Sequence, residues 1–144
     1  MRIRLLPALA AVIAALALGT PAPAATPTQL HSFRTPSGNI GCMAGEFEGT
    51  WELRCDISGG IQEWRGGRQK DCELDSGDSI GLQATGRPYW VCHGDTVLGS
   101  GPVLGYGSTW RAGPFTCTVA RTGVTCRNRA QRGFSMSRQS YRFF

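Results

Sequence analysis

Six cysteines, Cys42, Cys55, Cys72, Cys92, Cys117 and Cys126, set the narrowest limit on what this chain can fold into. Their number is even and none lies upstream of Cys42. That distribution points to an oxidising compartment and a small domain held by disulfides. The stretch before them reads as an export signal. Arg2 and Arg4 form a basic start, Leu5 to Leu18 carry no charge, and Ala22-Pro23-Ala24 offers a small-x-small cleavage pattern. The uncharged run is shorter than the roughly 20 residues a membrane span needs, so the expectation is a cleaved signal peptide over 1–24 and no transmembrane anchor after processing. Residues 25–32 are expected to be a flexible lead, followed by one domain over 33–144.

No stretch of that domain keeps a 3.6-residue apolar period. Short alternating segments rich in Val, Ile, Thr, Trp and Phe, separated by Gly, Ser and Asp, indicate an all-β fold. The expected form is a small, disulfide-stapled antiparallel domain built of hairpins, either a sandwich or a partly open barrel. Two hairpins can be placed in register. A turn between Arg121 and Thr122 sets Val119 opposite Val124 and Cys117 opposite Cys126, with Phe115 on the same face and Thr116, Thr118, Thr125 and Arg127 on the other. A turn between Glu48 and Gly49 sets Ile40 opposite Ile57, Cys42 opposite Cys55 and Ala44 opposite Leu53, leaving Glu52, Arg54 and Asp56 outside. Facing residues of an antiparallel pair lie close enough for a disulfide. The expected wiring is therefore Cys42–Cys55 and Cys117–Cys126 across hairpins, with Cys72–Cys92 by elimination clipping a loop. Zinc is a weak alternative, because there is no Cys-x-x-Cys and His93 simply adjoins Cys92.

Several ordered motifs run through the domain. Phe33-x-Thr35-Pro36-Ser37-Gly38-Asn39-Ile40-x-Cys42 opens it, and Cys92-x-Gly94-Asp95-Thr96, Leu104-x-Tyr106-Gly107 and Gly113-x-Phe115-x-Cys117 follow. Gly123-Val124-Thr125-Cys126-x-Asn128 and Gly133-Phe134-Ser135-x-Ser137-Arg138-x-x-Tyr141 close it. In this order they resemble a family of small exported actinobacterial proteins classed as a domain of unknown function. The family often has a histidine near the Gly133-Phe134 corner, where this chain has Gln131-Arg132. The resemblance implies fold and export and transfers no catalytic residue.

Catalytic chemistry is not legible in the residues. Asp75-Ser76-Gly77-Asp78-Ser79-Ile80 superficially suggests a serine nucleophile, but a hydrolase needs a histidine base held by a carboxylate. Only His31 and His93 exist, and no Gly-x-Ser-x-Gly elbow is present. Lys70 has no Ser-x-x-Lys context. Asp71, Glu73, Asp75 and Asp78 cluster without the ligand spacing of an EF-hand, so a solvated acidic loop is expected rather than calcium. No cofactor is expected. Trp51, Trp64, Trp90, Trp110, Phe115 and Phe134 are expected to fill the core, Trp51 from the inner face of its hairpin.

Charge supplies the sharpest functional signal. All ten acidic residues lie at or before Asp95, whereas Arg111, Arg121, Arg127, Arg129, Arg132, Arg138 and Arg142 follow with no acid among them. Guanidinium forks suit phosphate and carboxylate. The plainer reading, which the sequence favours, is that these arginines are solvated outward strand positions or pair with the acidic half. Arg127, Arg129, Arg132 and Arg138 are the candidate anion-binding residues, and the expected partner is an anionic cell-envelope polymer or protein, not nucleic acid. The expectation is a non-catalytic extracytoplasmic binding module, secreted or held at the cell envelope. The alternative is a secreted hydrolase or an enzyme inhibitor whose site is built by the fold.

Overall fold

A computed structural model describes residues 29–64 and 69–144. The expected signal peptide lies outside these residues. Ten strands and no helix make up the described chain: β1 (His31–Arg34), β2 (Ile40–Phe47), β3 (Thr50–Ile57), β4 (Ser79–Gln83), β5 (Tyr89–Trp90), β6 (Thr109–Ala112), β7 (Phe115–Ala120), β8 (Gly123–Arg127), β9 (Gly133–Met136) and β10 (Tyr141–Phe143). They form two five-stranded antiparallel sheets, ordered β1-β2-β3-β4-β5 and β10-β9-β8-β7-β6. Each sheet is a meander of consecutive strands. The two do not close into a barrel, and their inner faces contribute to one hydrophobic cluster.

The hairpins form because local turn chemistry agrees with the apolar alternation. Phe47 pairs with Thr50 across Glu48 and Gly49, whose φ values of 49° and 78° suit the twist of a two-residue hairpin turn. From there Cys42 faces Cys55 and Ile40 faces Ile57. In the second sheet Val119 faces Val124 and Cys117 faces Cys126. The disulfides join Cys42 to Cys55, Cys72 to Cys92 and Cys117 to Cys126.

The halves repeat one design. Across the first sheet one row of partners runs Phe33, Cys42, Cys55, Ile80, Trp90. Across the second the matching row runs Trp110, Cys117, Cys126, Phe134, Phe143. The rows meet at both ends and at the centre. Phe33 packs on Trp110 with ring centroids 4.9 Å apart, Cys55 Sγ lies 4.0 Å from Cys126 Sγ, and Trp90 packs on Phe143 at 5.7 Å. Two disulfides therefore abut at the centre of the core, and aromatic pairs close it at either edge. Although the sulfurs of Cys42, Cys55 and Cys126 lie within 4.8 Å of one another, they are bonded in disulfides and are not thiolate ligands.

Two expectations need correction. His31 and Ser32 belong to β1, paired with Ala44 and Met43, so the lead ends before residue 31. The tryptophans do not fill the centre. Phe115 and Phe134 are buried there, while Trp51, Trp64, Trp90 and Trp110 pack partly buried around it. Indoles are too large for a gap already occupied by disulfides and aliphatic side chains, and go to the edges.

Candidate functional site

The outer faces of the two sheets differ, and the difference begins with three residues of β3 and β4. Arg54, Asp56 and Ser79 project outward from the first sheet, as alternation requires. Asp56 is nevertheless 2% exposed, because residues 94–98 lie across this face. Its carboxylate accepts from Arg54 Nε (2.8 Å), Arg54 Nη2 (2.9 Å), Ser79 Oγ (2.6 Å), Thr96 Oγ1 (2.9 Å) and the Val97 backbone N–H (2.9 Å). Arg54 Nη1 also donates to Asp95 Oδ1 at 2.7 Å and Nη2 to the Asp95 carbonyl at 2.8 Å. Gly41 lets the strap close down, since a Cβ there would meet the Val97 carbonyl oxygen at 2.7 Å. Burial alone would raise the Asp56 pKa. The bonds from Arg54, Ser79 and Val97, with the Arg54 charge, outweigh it and hold the carboxyl below its ordinary value.

His93 anchors the start of the strap. Its Nδ1 lies 2.6 Å from the Asp95 carbonyl oxygen and its Nε2 2.8 Å from Asp78 Oδ1. Both partners are acceptors, so only imidazolium can donate to each. Burial lowers the His93 pKa, but the bonds to Asp78 and Asp95 outweigh it and raise the value above 6.5, against the opposing charge of Arg54. Ser79, His93 and Asp95 thus occupy one neighbourhood, yet the arrangement is that of a brace. The Ser79 hydroxyl is fully buried and donates to Asp56, and both His93 nitrogens are engaged by other acceptors. Of the acidic cluster, Asp78 is taken up by His93, and Asp75 exchanges backbone hydrogen bonds with it.

Among the described residues no such strap crosses the outer face of the second sheet. One row of partners across all five strands reads Thr109, Thr118, Thr125, Ser135, Arg142, and the next reads Arg111, Thr116, Arg127, Gly133. Four inter-strand steps of about 4.8 Å make the first row roughly 19 Å long. A groove of about 270 Å³ runs over it, touching Thr118, Thr125, Ser135 and Arg142. The arginines are held in place by aromatic contacts instead of carboxylates. Arg127 lies 4.4 Å and Arg142 5.3 Å from the centre of the Phe144 ring, and Arg121 lies 4.8 Å from that of Tyr106. Among the described residues the salt bridges involve only Arg54 and His93, so all seven C-terminal arginines lack a carboxylate within 4.0 Å.

The four arginines singled out in sequence come from one strand and two turns of the second sheet. Arg127 belongs to the open face, and Arg129 is exposed in the turn between β8 and β9. Arg132 donates to the Thr85 carbonyl at 3.3 Å and lines a separate cleft with Arg87, Pro88, Phe143 and Phe144. Arg138 lies at the turn end of the sandwich. Sequence reasoning missed Arg111 and Arg142 as partners of Arg127. The signal was present, because both share its outward parity in the same sheet, but the pairings of β6 and β10, each two strands from β8, were needed to use it.

A family model described as a family of unknown function, DUF6636, matches residues 9–144. No curated protein and no solved structure matches the chain.

Proposed function

The chain belongs to the family of unknown function DUF6636, and we propose that it is a non-catalytic binding module whose open second sheet engages an anionic polymer. The observation that carries this reading is the contrast between the outer faces. One is sealed by the strap over Asp56, while the other presents Arg111, Arg127 and Arg142 among hydroxyls with no acid in the sequence from Arg111 onward. Guanidinium edges next to threonine and serine hydroxyls offer repeated donors to phosphate or carboxylate groups spaced along a chain. Packing on Phe144 limits the ordering that binding must supply.

The module works outside the cytoplasm, exported by the segment over 1–24 and facing the envelope or the medium. Three disulfides, which are typical of extracytoplasmic proteins, support this, as does the resemblance to exported actinobacterial proteins. N-terminal sequencing of exported protein is expected to begin after Ala24 or Ala25, and an intact Met1 there contradicts export by cleavage. Binding itself is tested on immobilised long-chain polyphosphate. Arg127→Ser combined with Arg142→Ser is expected to weaken retention several-fold, and Lys70→Gln to leave it unchanged. Added salt is expected to release the wild type, since exposed charges are screened beyond about 10 Å at 0.1 M. Equal retention of all three proteins overturns the reading.

A further inference from the structure

The groove on the open face does not stop at the sheet's end. It shares Ala120, Thr122, Gly123 and Ser137 with a second cleft, of about 180 Å³, where the turns of both sheets converge. Asn39, Tyr106, Arg121, Thr122, Arg138 and Gln139 supply side chains there, from four segments far apart in sequence. The volume is below the roughly 300 Å³ at which pockets for drug-sized ligands begin, and suits one small unit of a longer molecule.

Its chemistry has two poles. Among the described residues Arg121 and Arg138 have no carboxylate within 4.0 Å, and Tyr106 steadies the first of them. Asn39 lines the cleft, and its buried Oδ1 has no hydrogen-bond partner, so turning the amide towards a ligand hydroxyl gains an acceptor contact and breaks no existing bond of that oxygen. The walls are rigid before any ligand arrives. Thr35 Oγ1 accepts from the Ile40 N–H (3.2 Å) and shares a bond with Ser37 Oγ (3.2 Å), while Ser58 N–H donates to the Asn39 carbonyl (2.9 Å). On the opposite wall Ser137 Oγ accepts from the Gln139 and Ser140 N–H groups at 3.2 and 3.1 Å.

We propose that this cleft seats one acidic sugar unit, its negative group on Arg121 and Arg138 and a ring hydroxyl donating to Asn39. This names the ligand class of the open face and rests on reading that face as a polyanion surface. The shared chemistry is an anionic group on a polyhydroxylated ring, supplied either as a uronic acid or as a sugar phosphate. A simple polyanion satisfies the arginines and leaves Asn39 Oδ1 without a donor. A neutral sugar does the reverse.

The test titrates the oxidised domain with trigalacturonate, glucose 6-phosphate, neutral galactotriose and tripolyphosphate, and follows binding by calorimetry. At least one acidic sugar is expected to bind tenfold or more tighter than galactotriose and tripolyphosphate, and the stronger of the two identifies the source of the charge. Asn39→Ala and, separately, the exposed Arg138→Gln are expected to remove that preference, and Asn39→Ala is expected to leave retention on long-chain polyphosphate within twofold. The proposal is overturned if neither acidic sugar exceeds galactotriose, or if both variants bind as the wild type does. In that case a response of polyphosphate retention to Arg127→Ser with Arg142→Ser leaves the face reading standing alone. Loss of that response as well removes both.

Discussion

Asp56 shows how completely one buried carboxylate can be satisfied. Five donors converge on it, three of them from outside its own strand pair with β2. Replacing it with Asn keeps the shape but removes the charge facing Arg54 and points amide protons at donors. Breaking a buried pair in this way is expected to lower stability by about 3 kcal/mol, whereas Ser79→Ala removes one neutral donor and is expected to lower it by about 1 kcal/mol. Denaturant unfolding of the two variants measures the difference, and similar losses contradict the central role of the carboxylate. The two titrations of this network have opposite signs. The Asp56 carboxyl is depressed on folding, so its contribution is present above about pH 4 and is lost as pH falls through the folded value. His93 is raised on folding, so its contribution is complete below 6.5 and is lost as pH rises through the folded value. Unfolding at pH 5.5 and at pH 8 is therefore expected to show a stability difference that His93→Gln reduces; an unchanged difference in the variant contradicts the imidazolium brace.

At the scale of elements, the two clipped hairpins were legible because three local rules agreed. Alternation sorted residues by face, the Glu48-Gly49 pair suited a tight turn, and centring each turn put cysteine opposite cysteine. The Asp56 strap was not legible. Arg54 and Asp56 read as solvated outward residues, and only the return of residues 94–98 over Gly41 reverses that. The repeat between the sheets was equally hidden, since matching positions hold different residues, such as Phe33 with Trp110 and Ile80 with Phe134. The hairpin disulfides close short loops, with sequence separations of 13 and 9. Chain entropy assigns each about 3 kcal/mol. Replacing Cys117 and Cys126 together by alanine is expected to lower stability by at least that amount, because the cavity left beside Cys55 adds its own penalty. Unfolding of the oxidised double variant reports this, and a loss under 1 kcal/mol contradicts a structural role for the bond.

For the whole molecule, the bonds that stabilise the fold and the face proposed to bind lie in different places. Three disulfides together contribute on the order of 9 kcal/mol by the entropy argument, within the 5–15 kcal/mol range of entire domains, so reduction is expected to unfold the protein at moderate temperature. What they hold is a sandwich sealed on one outer side and open on the other. The charge asymmetry was visible along the chain, but which arginines share a surface depended on strand order. Arg127 and Arg142 meet at the Phe144 ring and Arg111 shares their outward face two strands from Arg127, because β6, β8 and β10 send the same parity outward, while Arg132 and Arg138 leave by turns. The most direct measurement is a map of backbone amide shifts while the oxidised, isotope-labelled domain is titrated with polygalacturonate. Shifts are expected at Thr118, Thr125, Arg127, Ser135 and Arg142 and not along the strap from Gly94 to Leu98. Shifts confined to the strap side, or none at a saturating concentration, contradict the open face as the binding surface.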